Sequence, residues 1–267
     1  MSETGNVLKE RVERERVAHT NKDILAEGYK LKERFPHIMQ YPSSRRCFTV
    51  VESFLRDLKG KTVLDYGCGR GKKSLEYLAL GAVTYGIDIS PVYISHAEEE
   101  ARKAGYHEDE YSFQVMDAHT LQFEENKFDM VIGFGVLHHL EASTALDEIC
   151  RVLKPGGRVL LQEPLADNLL LKLFRLLTPQ IRTQDEKPFS KEDIELLTSK
   201  NHWKSELFYC GLIEALFSMV TSLVVPKKPD NYLLKFADKI EQYTHKHNLL
   251  LSWNQYVFFN MIKMTEN

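Results

Sequence analysis

From residue 63 the chain reads Val-Leu-Asp-Tyr-Gly-Cys-Gly-Arg-Gly, an apolar run that turns acidic at Asp65 and then places glycines at 67, 69 and 71. Glycines let a ligand come close to the backbone, and a helix that follows such a turn adds its positive end and unpaired N–H groups. The expected guest is nucleotide-like or carries a carboxylate. The spacing is GxGxG, not GxGxxG, and Asp65 would crowd a dinucleotide pyrophosphate while it could accept from an ammonium group. Gly71-Lys72-Lys73-Ser74 lacks the register of a phosphate-binding P-loop.

Further along, Ile87-Asp88-Ile89-Ser90 sets a carboxylate where it can accept both hydroxyls of a ribose. Met116-Asp117-Ala118 offers an acidic side chain and a backbone N–H suited to an adenine edge. The stretch Phe128–Leu140 reads as a buried strand opening into a loop that carries His138 and His139, and Leu153-Lys154-Pro155-Gly156-Gly157-Arg158-Val159 reads as a helix stop and a turn into a strand. Histidine titrates near neutral pH, so either His is a candidate proton acceptor, with His139 ahead; capping and packing are the competing roles. Cys68 at a helix start could be a reactive thiol, but a small residue lining the turn is the preferred reading. Arg45 or Arg46 could pair with a ligand carboxylate, and Tyr29 and Tyr41 could close over it; surface and core placement compete with both.

These residues need elements to hold them. Residues 61 to about 163 alternate short apolar strands with helical patterns, the βαβ signature of a doubly wound parallel sheet. The strands expected are Thr62–Tyr66, Val83–Ile87, Tyr111–Met116, Phe128–Gly133 and Gly157–Glu163. Before them, residues 1–58 read as a helical cap that ends in a helix over Ser43–Leu58. After them, a polar loop (Thr178–Pro188) precedes a helix capped by Ser190 and Asp193. Then come an apolar run, Leu207–Val225, a helix near Tyr232–His247 and a last strand, Gln255–Met264. The domain boundaries expected are 1–58, 59–163 and 164–267.

The 267 residues carry 35 Lys plus Arg against 38 Asp plus Glu, a net charge of -3, which lacks the basic excess of a nucleic-acid binder. Hydrophobic residues at 43% and charged residues at 27% describe a soluble globular chain, neither collagenous nor disordered. Four dispersed cysteines suit reduced thiols, the N-terminus lacks an apolar signal core, and a cytoplasmic location is expected. No zinc-type ligand spacing appears, so no metal is expected. Leu207–Val225 is long enough for a bilayer span, but Glu214 and several small residues interrupt it. A lid, a homodimer contact or a membrane-surface element is preferred. Lys227-Lys228 beside it reads as a solvated turn or as a contact for anionic lipid heads.

Taken together and in this order, DxGxGxG, the Ile-Asp pair at the next strand end, FDxVI…LHHL and LKPGG resemble the class I S-adenosylmethionine-dependent methyltransferases, most closely the type 11 small-molecule branch that includes quinone, sugar and antibiotic enzymes. The likeness covers residues about 45 to 163. It implies a Rossmann-like seven-stranded sheet with an antiparallel last strand; N-terminal helices precede it, and the chain departs from the pattern by a C-terminal helical insertion between about Gly211 and Leu250 that delays the last strand. It also implies S-adenosylmethionine as cofactor, S-adenosylhomocysteine as product, and in-line methyl transfer to oxygen, nitrogen or carbon. By that likeness Asp65, Gly67, Cys68 and Gly69 surround the methionine portion, with Arg46 a candidate for its carboxylate. Asp88 and Ile89 hold the ribose, Asp117 and Ala118 meet the adenine, and Phe134 offers a carbonyl near the sulfonium. Glu163 stands at the strand end that faces the acceptor in sugar methyltransferases. Phe189, Trp203, Phe217, Trp253, Tyr256, Phe258 and Phe259 suggest an apolar or lipid-linked acceptor, with core packing as the alternative. The rival function is a protein that holds the cofactor without chemistry.

Overall fold

The computed structural model describes residues 3–21, 30, 33–177, 183, 185–200 and 202–265. Its sheet is built on five parallel strands: β1 (Thr62–Tyr66), β2 (Val83–Asp88), β3 (Tyr111–Val115), β4 (Phe128–Phe134) and β5 (Leu153–Pro164). Strands covered on both faces bury nearly every side chain, so they read as continuous apolar runs; Val63, Leu64, Val131 and Ile132 are all fully buried. Helices α1 (Glu3–Asn21) and α2 (Pro42–Leu55) precede the sheet. Helices α3 (Lys72–Ala79), α4 (Pro91–Lys103) and α5 (Ala142–Val152) make the crossovers. Beyond β5 come α6 (Leu169–Leu177) and α7 (Lys191–Thr198), the latter opened by the Ser190/Asp193 capping box that the sequence shows.

The strand order is β3-β2-β1-β4-β5-β7-β6, where β6 is Trp203–Cys210 and β7 is Tyr256–Lys263. β7 lies antiparallel between β5 and β6. The order turns back between β1 and β4, so the crevice at their carboxyl ends is where an open α/β sheet accepts a ligand.

One expectation is corrected. Leu207–Val225 is not a single apolar element: its first residues finish β6, Gly211 turns the chain, and α8 (Glu214–Val224) follows. Gly211 has φ +87, and a Cβ there would meet Gln255 Cβ and Tyr41 Oη at 2.7 Å, so only glycine makes this turn. β6 escaped the sequence reading because it is an edge strand, apolar only in alternation and interrupted by Lys204, Ser205 and Glu206. Among the described residues no helix is long and apolar enough to cross a membrane. Helix α9 (Tyr232–Lys246) completes the insertion before β7.

Glu214 is fully buried at the start of α8, where its Oε2 accepts from the N–H and the hydroxyl of Ser43. Beside it, Glu241 of α9 accepts from the Gly211 and Leu212 N–H groups at 2.8 and 3.0 Å. Burial, and then the neighbouring Glu241, push the Glu214 carboxyl up from 4.5 to about 8. The folded value stands above the unfolded one, so the native state holds this proton more tightly. The resulting stability is complete below a pH of about 4.5 and is lost as pH rises towards 8. Glu214→Gln, which mimics the protonated acid, is expected to change stability by under about 1 kcal/mol at about pH 5 and to raise it by about 1–3 kcal/mol at about pH 8.5. Thermal melts at both pH values check this; an equal shift at both would dismiss the titration.

Candidate active site

The carboxyl ends of β1, β2 and β4 surround a cavity of about 150 Å³. Its floor is the turn after β1, where Gly67 (φ +74) and Gly69 (φ +53) take the left-handed backbone and the Cys68 N–H donates to the Ile87 carbonyl at 2.8 Å. Asp88, at the end of β2, fastens that turn: Oδ2 accepts from the Gly69 N–H and Oδ1 from the Ser90 N–H, both at 2.9 Å. Burial pushes the Asp88 carboxyl upward against those N–H groups. Ile89 beside it also lines the cavity, as do Asp117, Ala118 and Phe134. Asp117 accepts from the N–H of His119 and lies 2.7 Å from its Nδ1; burial raises its pKa, and these contacts outweigh burial to leave it below the usual carboxylate range.

The roof is α1, which the sequence reading placed only as part of a helical cap. Arg11, Val12, Glu15 and His19 face the cavity from it. Glu15 and His19 stand one turn apart and so share a helix face. Glu15 Oε2 lies 3.4 Å from His19 Nε2 and 3.2 Å from His139 Nδ1, which is also 3.1 Å from Thr183 Oγ1. Glu15 is buried; burial raises its pKa, but the His139 and His19 contacts outweigh it and hold the carboxyl well below the usual range. Their ligand atoms lie within 4.8 Å of one another, a grouping the sequence conceals because α1 and the loop after β4 are far apart in the chain. α1 is tied down by Arg14, whose Nε and Nη2 each donate to Asp185 at 2.8 Å.

The structure separates the two histidines. His139 lines the cavity, whereas His138 turns inward, with Nδ1 2.7 Å from Glu163 Oε2 and Nε2 3.7 Å from Glu186 Oε1. Glu163 is fully buried and accepts from the N–H groups of Val136, Leu137 and His138, so it holds the loop that carries both histidines. Burial pushes its carboxyl up to about 7. Neither His138 nor Glu163 lines the cavity.

Three other expected contacts lie elsewhere. Asp65 is buried behind the turn, where Oδ2 accepts from the Ser74 hydroxyl at 2.5 Å, and burial raises it to about 7. The Cys68 side chain packs with Ile94, Ala97 and Phe113; burial, then Asp65 and Asp88, push the thiol well above its ordinary value, so it has little thiolate to react with. Arg46 sits on the outer face of α2 and pairs with Asp238 at 2.5 Å. Tyr41 is buried and donates to Gln255 Oε1 at 2.9 Å, away from the cavity, and Tyr29 lies outside the described residues. Of the aromatic residues, Phe189, Trp203, Phe258 and Phe259 are core, Phe217 and Tyr256 pack against it, and Trp253 is 40% exposed.

A doubly wound sheet with an antiparallel strand inserted before its edge, and a glycine turn and strand-end carboxylate at its switch point, defines a Rossmann-like α/β protein. More narrowly, the chain belongs to a methyltransferase family, since the family model described as "Methyltransferase domain" matches residues 57–211. It is 35% identical over 127 residues to the aklanonic acid methyltransferase of Streptomyces sp. (strain C5), an alignment covering 46% of this chain and 55% of that one. Over 105 residues it is 36% identical to the demethylmenaquinone methyltransferase of Clavibacter sepedonicus, covering 39% and 41%. The chain thus spans about half the length of these curated relatives or less. In fold it is similar to phosphoethanolamine N-methyltransferase 2 of Haemonchus contortus, solved with S-adenosyl-L-methionine, with a TM-score of 0.60, 21% identity and coverage of 83% of this chain and 53% of that one.

Proposed function

We propose that the protein is an S-adenosylmethionine-dependent methyltransferase acting on a small, apolar or lipid-linked acceptor. The observation that carries this reading is the cavity at the carboxyl ends of β1, β2 and β4, lined by the glycine turn and Asp88 together with His139. The residues present fit the cofactor. A side chain on Gly67 would obstruct the floor, Asp88 keeps lone pairs for ribose hydroxyls beyond those given to Gly69 and Ser90, and Asp117 and Ala118 stand where an adenine would be read. When bound, S-adenosylmethionine supplies an electrophilic sulfonium methyl.

The chain's own part is alignment and one proton. His139, which lines the cavity with Nδ1 close to Glu15 and Thr183, takes a proton from the acceptor, and the ionised Glu15 stabilises the imidazolium that forms. Glu163 and His138 hold that loop in place. α1, fastened by Arg14 to Asp185, excludes water above the cavity. Residues 1–58 and 164–267 serve as the acceptor-selecting regions around a cofactor-binding core, 59–163. The apolar acceptor class draws on the relatives' substrates as named, aklanonic acid and demethylmenaquinone. Four free cysteines suit a cytoplasmic enzyme, and the α8–α9 face is its contact surface for a membrane or a second copy.

Calorimetric titration tests the cofactor: S-adenosylmethionine is expected to bind and NAD is not. Binding of NAD alone would overturn the assignment. Incubation with isotopically methyl-labelled cofactor and a quinone or polyketide phenol panel then tests the acceptor class.

A further inference from the structure

Helix α8 is turned inside out for a helix at the surface of a protein in water. Its buried residues are Glu214, Ala215, Ser218, Thr221 and Ser222, with Phe217 packed against the core beside them, while Leu216, Val220, Leu223 and Val224 are exposed, the last two 63% and 73%. Surface helices normally place their apolar stripe inward. The inward polar groups are served within the fold: Ser218 and Ser222 donate to backbone carbonyls of Ala215 and Ser218, and His37 Nδ1 lies 2.9 Å from Thr221 Oγ1. Among the described residues the outward apolar side chains have no such counterpart.

Helix α9 packs against α8 and carries an exposed apolar arc of its own. At about 100° per residue, Leu234, Ala237, Glu241 and Thr244 form its buried side, while Tyr232, Leu233, Phe236, Ile240 and Tyr243 share one exposed arc of about 100°. Tyr232 is 91% exposed and Phe236 60%. Lys235, Lys239 and Lys246 flank that arc on the far side from the core, and Lys227 and Lys228 are exposed in the turn between the helices. Of the acidic residues from 216 to 250, Glu241 is buried, Asp238 pairs with Arg46 and only Asp230 is exposed, where it pairs with Lys235. An apolar and aromatic face bordered by five exposed lysines thus sits on a chain whose net charge is -3.

That charge decides the occupant. A second copy laid on the same face would bring lysines against lysines, whereas an anionic lipid surface satisfies both the apolar arc and its cationic border. We infer that α8 and α9 dock the protein on an anionic bilayer surface, without spanning it, and, resting on the apolar-acceptor reading above, that the acceptor enters from that surface. Position agrees: β6 ends at Cys210, paired with Tyr256, which also pairs with Pro164 at the end of β5, so α8 starts from the same rim of the sheet as the cavity.

The test is co-sedimentation of the full chain with phosphatidylcholine vesicles, with and without phosphatidylglycerol. Binding is expected to be at least about tenfold stronger to the anionic vesicles and to weaken with salt. Lys227→Glu with Lys228→Glu is expected to remove most of that preference, and Leu223→Ser with Phe236→Ser to reduce binding to both vesicle types by about tenfold or more. Unchanged melting and S-adenosylmethionine affinity would show that the variants are intact and separate this result from the cofactor assignment. Equal binding to neutral vesicles, no effect of either double variant, or a dimer in sedimentation equilibrium that Leu223→Ser with Phe236→Ser dissolves would each overturn the proposal.

Discussion

Valine in place of Gly67 is expected to abolish S-adenosylmethionine binding while leaving a folded, less stable protein. Gly67 holds φ +74, a region that costs a side-chain-bearing residue about 1–2 kcal/mol. A Cβ built there comes within 2.7 Å of Val136 Cγ2 and 3.0 Å of its Cβ, so Val136 must move, at a further cost of about 1–3 kcal/mol. Val136 starts the loop that leads to His139, and its N–H is held by Glu163, so the displacement passes from the floor of the cavity to its His139 side. Gly67→Ala shares the backbone strain without the branched γ carbons and is expected to bind weakly. Calorimetry with the cofactor and a thermal melt make the check, and a Gly67→Val variant that bound as tightly as the parent would remove this turn from the cofactor site.

Glu163→Ala is expected to lower stability by roughly 3–5 kcal/mol, because it leaves three buried backbone N–H groups and the His138 ring without their acceptor. Glu163→Gln retains a carbonyl oxygen for the N–H groups and is expected to be much milder. Its effect depends on pH in a defined direction. Burial lifts the Glu163 carboxyl from 4.5 to about 7, so the stability it gives by holding a proton is complete below about 4.5 and fades as pH rises through about 7. Gln carries no such titration, so its stability relative to the parent should improve from about pH 5 to about pH 8. Denaturant unfolding at the two pH values measures both effects. An Ala variant within about 1 kcal/mol of the parent would mean that Glu163 does not hold the loop.

The parallel sheet and its glycine turn were legible because they are written in short range. Buried strands show as uninterrupted apolar runs, and the turn shows as glycines at a fixed distance from a strand end. What stayed hidden depends on direction or on distance along the chain. His138 and His139 are neighbours in sequence, yet one turns into the core towards Glu163 and the other into the cavity, and residue type says nothing about which. Cys68 and Asp65 belong to the same motif as Gly67 and Gly69, but their side chains leave the turn on its far side. Arg46 offered a guanidinium of the right kind, and only the packing of α2 against α9 shows that Asp238 holds it. The roof read only as a helical cap over residues 1–58 and not residue by residue, since α1 has no apolar stripe and meets residues distant in sequence through Glu15, Arg14 and His19.

The manner in which α1 closes the cavity bears on how it opens. It is fastened by Arg14 to Asp185 at the edge of solvent, where salt screens the pair, and by the buried contact of Glu15 with His139, which salt screens much less. On the function proposed above, salt is therefore expected to loosen the outer fastening of α1 while the inner one at Glu15 stays in place, so that the helix swings on its buried contact.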